Sequence, residues 1–244
     1  MTPLELLLAQ ALGLATPCPP DMVRVNGVHY EHLQRVCLRK QWGKCVAFAP
    51  DLVLAEPEAT PVDVCMDRFE WPNRVGERPV VMVRFGEAES ACAAAGKRLC
   101  SEFEWELACE GPERLPWPYG WERSEGRCNS DKPFRAYDEA NLTTEDDRVR
   151  NREVARLWQG VEAGAFPTCA SAFGVRDLVG NVEEWVSTSR KEWPHRSSLK
   201  GGYWSKPWTG CRGTNERHGG SFRYYQVGFR CCRAPQFDGG ALAP

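Results

Sequence analysis

Twelve cysteines stand among the 244 residues of this chain, and their spacing decides which thiol chemistry is open to it. No CxxC pair occurs, and the four histidines, His29, His32, His195 and His218, do not supply the close ligand pairs of a zinc site. Abundant cysteine in even number without metal spacing is the usage of disulfides, which persist where thiols are not kept reduced. An extracytoplasmic location, periplasmic or secreted, is the expectation. Cys37 and Cys45 bracket a short basic loop and form one local candidate pair.

Oxygen chemistry is carried by a second constellation, Asp177-x-x-Gly180-Asn181-Val182-x-Glu184. A turn at Gly180-Asn181 lets two carboxylates and the carbonyls between them converge, and an all-oxygen ligand set suits a hard cation such as calcium, which takes about six to eight oxygens. A carboxylate-rich surface turn is the alternative reading of the same residues. Ser205 with His218 and a nearby carboxylate would imitate a hydrolase, but no GxSxG elbow accompanies them.

The elements that must position these groups are short. From Gly86 to Ala95, Ala88, Ala91, Cys92 and Ala95 recur at helical spacing, with Glu87 and Glu89 in the first turn and Gly96 as the stop. Ser101 and Glu104 form a capping box for a second helix ending at Gly111-Pro112, whose buried face carries Trp105, Ala108 and Cys109. Both helices thus turn a cysteine toward the core. A charged helix near 145 to 158 is the third candidate, and the C-terminal third reads as short strands and turns. Val23 to Val25 and Val28 to Tyr30 flank Asn26-Gly27, which predicts a tight hairpin. Residues 51 to 64 read as a Pro-rich acidic connector before a strand or turn at CMDRFEW.

Ten tryptophans, 22 glycines and 18 prolines predict a loop-rich α+β fold held by aromatic packing and cross-links. The formal charge of -2, with both signs interspersed, gives no footprint for nucleic acid, and no stretch is long enough to span a membrane. Residues 1 to 17 form an apolar stretch with Glu5 and no basic start, either a signal-peptide core or a short amphipathic helix. The domain is expected over 18 to 235, with 236 to 244 as a frayed tail.

Six phrases in order, RPVVMVRFGEAESAC (78 to 92), GKRLCSEFEWELAC (96 to 109), PWPYGW (116 to 121), FGVRDLVGNVEEW (173 to 185), LKGGYW (199 to 204) and VGFRC (227 to 231), resemble the formylglycine-generating enzyme, or sulfatase-modifying-factor, family. The resemblance covers about residues 21 to 234. It implies a single domain with a variant C-type-lectin-like fold, two short helices and small antiparallel sheets, and disulfides Cys92 to Cys231 and Cys109 to Cys211. It also implies calcium at Asp177, Gly180, Val182 and Glu184, and a second calcium site beginning at Asn129 and the carbonyl of Ser130.

In the family's active enzymes two cysteines after the KGG segment bind copper(I) and oxidise a substrate cysteine to formylglycine with oxygen. Here LKGGYWSKPWTGCRG puts Ser205 and Lys206 where the first should stand, and neither replaces a soft thiolate. Copper enters only if Cys211 and Cys232 are both free and adjacent. Alternation along a strand sends Cys232 to the face opposite Cys231, which favours a bond to another cysteine such as Cys100. Relatives in thiohistidine biosynthesis hold iron with three histidines, and no HxxxHxE pattern occurs here. What remains is a peptide- or protein-binding groove. Tyr203, Ser205, Lys206, Trp208, Arg212, Asn215, Arg217, His218, Phe222, Tyr224 and Tyr225 are its candidate residues, with Trp204 assigned to the core.

Overall fold

The computed structural model describes residues 17–53, 58–188 and 196–237. The N-terminal apolar stretch up to residue 16 and the tail from 238 lie outside them. The strands are β1 (Met22–Tyr30), β2 (Arg35–Gln41), β3 (Lys44–Val53), β4 (Ala59–Asp67), β5 (Arg98–Leu99), β6 (Glu183–Ser187), β7 (Ser197–Lys200), β8 (Thr214–Asn215), β9 (Val227–Phe229) and β10 (Cys231–Arg233). The helices are α1 (Phe85–Ala94), α2 (Glu102–Glu110), α3 (Glu139–Thr143) and α4 (Asp147–Leu157). Three small open sheets result, ordered β1-β4-β10-β5, β2-β3 and β8-β7-β6-β9. This is the expected disulfide-bonded, loop-rich α+β domain.

Four local expectations change. Asn26-Gly27 makes no turn: all nine residues of β1 pair with β4, Asn26 opposite Asp63 and Gly27 opposite Val62. A Cβ at Gly27 would meet the Leu107 methyls at 3.5 Å, so this glycine marks where α2 lies against the strand. Residues 59 to 64 are strand β4 rather than connector, because β1 supplies a full-length partner. The charged helix expected near 145 to 158 is α4, and the helix that was not expected is α3, a single turn capped by Asp138. Finally, β6 and β9 pair in parallel, so the third sheet is mixed.

α1 and α2 form where expected. Glu87 accepts from the Arg84 backbone N–H, and Ser101 and Glu104 bond reciprocally, so each helix start gains a side-chain acceptor for at least one backbone donor. α2 lays Trp105, Leu107, Ala108 and Cys109 against Val25, Val62, Val64 and Met66 of the first sheet. α1 puts Phe85, Ala88 and Cys92 against Trp185, Leu199 and Phe229 of the third. The two helices thereby bridge the two larger sheets.

All twelve cysteines are paired: Cys18–Cys65, Cys37–Cys45, Cys92–Cys231, Cys100–Cys232, Cys109–Cys211 and Cys128–Cys169. Cys231 and Cys232 point to opposite faces of β10, one tying α1 and the other the residue before Ser101. Bonds with sequence separations of 139, 132 and 102 anchor both helices to the C-terminal segment. Closing such loops restricts the unfolded chain by roughly 4 to 5 kcal/mol each in the chain-entropy model.

Candidate functional site

Gly201 and Gly202 open the groove segment with positive φ (82° and 67°), where a Cβ would strike the Leu178 carbonyl and the Thr209 side chain. The chain can therefore turn tightly against the core and run on to Cys211. Trp204 is buried among Trp158, Tyr203 and Tyr225. Lys206 lies over the Tyr203 ring and donates to Glu183 Oε1 at 2.9 Å. Ser205 donates to the Pro133 carbonyl at 3.3 Å.

Cys211 is fixed to Cys109, and Cys232 to Cys100, so the free adjacent pair that copper would need does not exist. A disulfide sulfur carries no thiolate charge, and a hydroxyl with an ammonium at Ser205 and Lys206 offers a soft cation nothing.

Lys206, Trp208 and Arg212 share a cavity of about 410 Å³ with Arg35, Lys44, Phe48, Trp117, Glu183 and Asn215. The other expected groove residues, Tyr203, Ser205, Arg217, His218, Phe222, Tyr224 and Tyr225, do not line it. His218 instead stacks on Phe222 at 3.7 Å between centroids, and Phe222 on Tyr224. Burial lowers the His218 pKa, opposed by the charge of Glu183.

Beneath the cavity lies a buried ionic network that the sequence reading passed over. Glu102, Glu106 and Glu110 recur every fourth residue on α2 and so share one face. Lys200 reaches Glu106 at 2.6 Å and Glu102 at 3.3 Å; Arg212 holds Glu106 at 2.9 Å and Glu110 with two nitrogens; Arg35 reaches Glu110 at 2.9 Å. His29 Nε2 is 2.6 Å from Glu106. Burial would raise the Glu106 pKa, but the His29 hydrogen bond and the charges of Lys200 and Arg212 outweigh it and hold the carboxyl at about 2.

The expected cation residues Asp177, Glu184, Asn129 and Ser130 are all buried. Asn181 N–H and the Asn129 carbonyl join the two segments at 2.8 Å, so the structure brings them together around Gly180, whose φ is 80°. Both Glu184 oxygens are taken by Arg230, at 2.6 and 2.7 Å, and one also by Trp105 Nε1. Glu70, unnoticed in the sequence, accepts from Asn181 Nδ2 and Val182 N–H. Burial and then the charges of Asp177 and Glu184 push Glu70 well above the carboxylate range. Burial likewise lifts Asp177 to about 6, despite Arg230.

Among the described residues no three histidine, cysteine or carboxylate side chains already converge as a metal cluster. The donor chemistry nevertheless fits a hard cation. Three buried carboxylates face one buried guanidinium, and Asn129 Oδ1 is buried with no hydrogen-bond partner.

The profile of the sulfatase-modifying factor enzyme 1-like domain matches residues 36–235. The chain belongs to this family. It is 34% identical over 148 residues to a hercynine oxygenase of Mycolicibacterium smegmatis, covering 58% of this chain and 29% of that protein. Over 114 residues it is 36% identical to an inactive C-alpha-formylglycine-generating enzyme 2 of Bos taurus, covering 46% of this chain and 33% of that one. The chain thus spans about a third of the length of these relatives. The structure of PvdO from Pseudomonas aeruginosa superposes with a TM-score of 0.56 at 18% identity, over 90% of this chain and 97% of that one, which shows the shared fold.

Proposed function

We propose that this member of the family is a calcium-stabilised, extracytoplasmic binding module that takes a peptide or protein ligand and does not oxidise cysteine. The observation that carries the reading is the Cys109–Cys211 bond, which consumes the cysteine nearest the glycine pair, while Ser205 and Lys206 occupy the place of the other thiolate. Six disulfides support an oxidising compartment. Among the described residues no helix is long and apolar enough to cross a membrane. Trp208 at the cavity edge and Trp42 against it are exposed, and exposed indoles beside fixed charges suit ligand contact.

Calcium, when bound, would supply positive charge at the buried carboxylates, with Asp177, Asn129 and backbone carbonyls of the Gly180 to Val182 turn as its holders. Glu184 would join only by giving up a bond to Arg230. The module reading is tested by incubating the oxidised protein with copper(I), oxygen and a cysteine-containing sulfatase peptide, beside an active formylglycine-generating enzyme. Mass spectrometry of the peptide should show conversion by the active enzyme alone. Conversion by this protein would make it an oxidase.

A further inference from the structure

Six disulfides hold the fold, and the Cys37–Cys45 bond is unlike the other five. The ten remaining cysteines are buried, none more than 8% exposed, whereas Cys37 and Cys45 both keep partial contact with solvent. A thiol in solution can therefore reach this bond while the others are screened. It also closes the shortest loop, with a sequence separation of 8 against 41 to 139 elsewhere. In the chain-entropy model it constrains the unfolded chain least, so its loss costs the fold least. Arg39, Lys40 and Lys44 all lie within that loop, with Lys40 the cross-strand partner of Cys45. Positive charge beside a departing sulfur favours the thiolate, the better leaving group in exchange.

This bond stands on the wall of the cavity, where Cys45 joins Arg35, Lys44 and Phe48 of the same hairpin. β3 is fastened to the body by the Phe48 N–H to Trp121 carbonyl bond at 3.0 Å and the Arg123 N–H to Val46 carbonyl bond at 2.8 Å. β2 is held less well. It pairs with β3 alone, and three register shifts between Arg35 and Lys40 interrupt that ladder. A two-stranded ribbon is marginal by itself, so the disulfide is the clamp on this one. At the tip, Trp42 reaches across the rim to Trp208, edge to face at 6.4 Å, and Arg123 lies over its ring. Both indoles are exposed, so these contacts hold the tip weakly once the clamp is open.

We infer that Cys37–Cys45 is a reversible redox clamp on the cavity rim: a dithiol reduces it ahead of the five buried bonds, and the β2 tip with Trp42 then leaves Trp208. The S–S bond breaks and each sulfur takes one electron and one proton. The dithiol gives up those two electrons and two protons and closes to its own cyclic disulfide. Reoxidation restores the clamp, because the body keeps hold of β3, while Arg35 at the start of β2 stays bound to Glu110 and the Arg114 carbonyl. The inference is independent of which ligand the cavity takes.

The test treats the folded, oxidised protein with graded dithiothreitol at neutral pH, traps free thiols with iodoacetamide and maps them by mass spectrometry. Cys37 and Cys45 should be labelled together, about tenfold or more faster than any other cysteine. Amide hydrogen exchange over residues 38 to 44 should then rise about tenfold or more, both in the selectively reduced protein and in the double variant Cys37→Ala, Cys45→Ala, with the rest of the chain unchanged. Labelling of a buried pair first, or of every cysteine at once as the protein unfolds, would overturn the selective site. Selective labelling with no change in exchange at the tip would overturn the clamp.

Discussion

Two buried ionic clusters sit on either side of α2 and differ in how their charges are matched. Toward the cavity, Glu102, Glu106 and Glu110 face Lys200, Arg212 and Arg35, and His29 is hydrogen-bonded to Glu106. Toward the Gly180 turn, Glu70, Asp177 and Glu184 face the single buried guanidinium of Arg230. Their carboxyls respond oppositely: Glu106 is held down, whereas Glu70 and Asp177 are pushed up. Burial acts the same way on both, so the number and placement of cations decides. The first cluster fastens α2 to β7 and the groove segment. The second carries negative charge the fold alone leaves unmatched, which is the condition under which a bound cation adds stability.

The largest break in this comparison is Arg230→Met. It strands three carboxylates in the interior and removes the donors to the Asp67, Arg68 and Arg176 carbonyls, so a loss of about 3 to 5 kcal/mol is expected. Lys200→Met should cost less, about 2 to 3 kcal/mol, because Glu106 keeps His29 and Arg212 and Glu102 keeps Thr188. Urea unfolding with disulfides intact measures both. A greater loss for Lys200→Met than for Arg230→Met would reverse the ranking of the clusters.

Acid sharpens the contrast next. Against burial, the His29 hydrogen bond and the charges of Lys200 and Arg212 depress the Glu106 pKa in the fold from its ordinary value of 4.5 to about 2. Its stabilisation is therefore present above pH 4.5 and is lost as pH falls toward 2, a contribution of order 3 kcal/mol. Thermal unfolding across that window should fall steeply for wild type. Glu106→Gln should start lower at neutral pH and show a shallower acid limb; an unchanged limb would mean the acid sensitivity lies elsewhere.

What the sequence made legible follows from how local each signal is. The α2 cap at Ser101 and Glu104, the cysteines facing inward, and the opposite faces of Cys231 and Cys232 all rest on spacing within a few residues, and the structure has each. The Cys37–Cys45 bond was local in the same way. Asn26-Gly27 misled because a long-range partner, β4, overrode a short-range turn preference. The cavity was legible only in part. Trp208, Lys206 and Arg212 follow the glycine pair, but Lys44, Arg35 and Trp117 arrive from distant segments that no local pattern links. The glutamates of α2 had a readable four-residue period, yet their burial depends on Lys200 and Arg212, which lie about a hundred positions away in the chain.

The smallest effects concern the unmatched cluster itself, and their sign matters more than their size. With a chelator present, Asp177→Asn removes one charge from a site that has too many, so it should match or exceed wild type, by about 1 kcal/mol at most. Removing a carboxylate from the matched cluster, as in Glu106→Gln, should destabilise under the same conditions. Calcium then separates the two readings of the Gly180 turn. At about a hundredfold excess over its dissociation constant it should stabilise wild type by about 2 to 3 kcal/mol and leave Asp177→Asn unmoved, read as a shift in melting temperature. Asn129→Ala should weaken that shift, because it deletes the buried Oδ1 that has no partner in the protein. If calcium moves neither wild type nor variant while Asp177→Asn still stabilises, the excess charge is real but is met by protonating Glu70 and Asp177, and the turn is a strained structural feature without a metal.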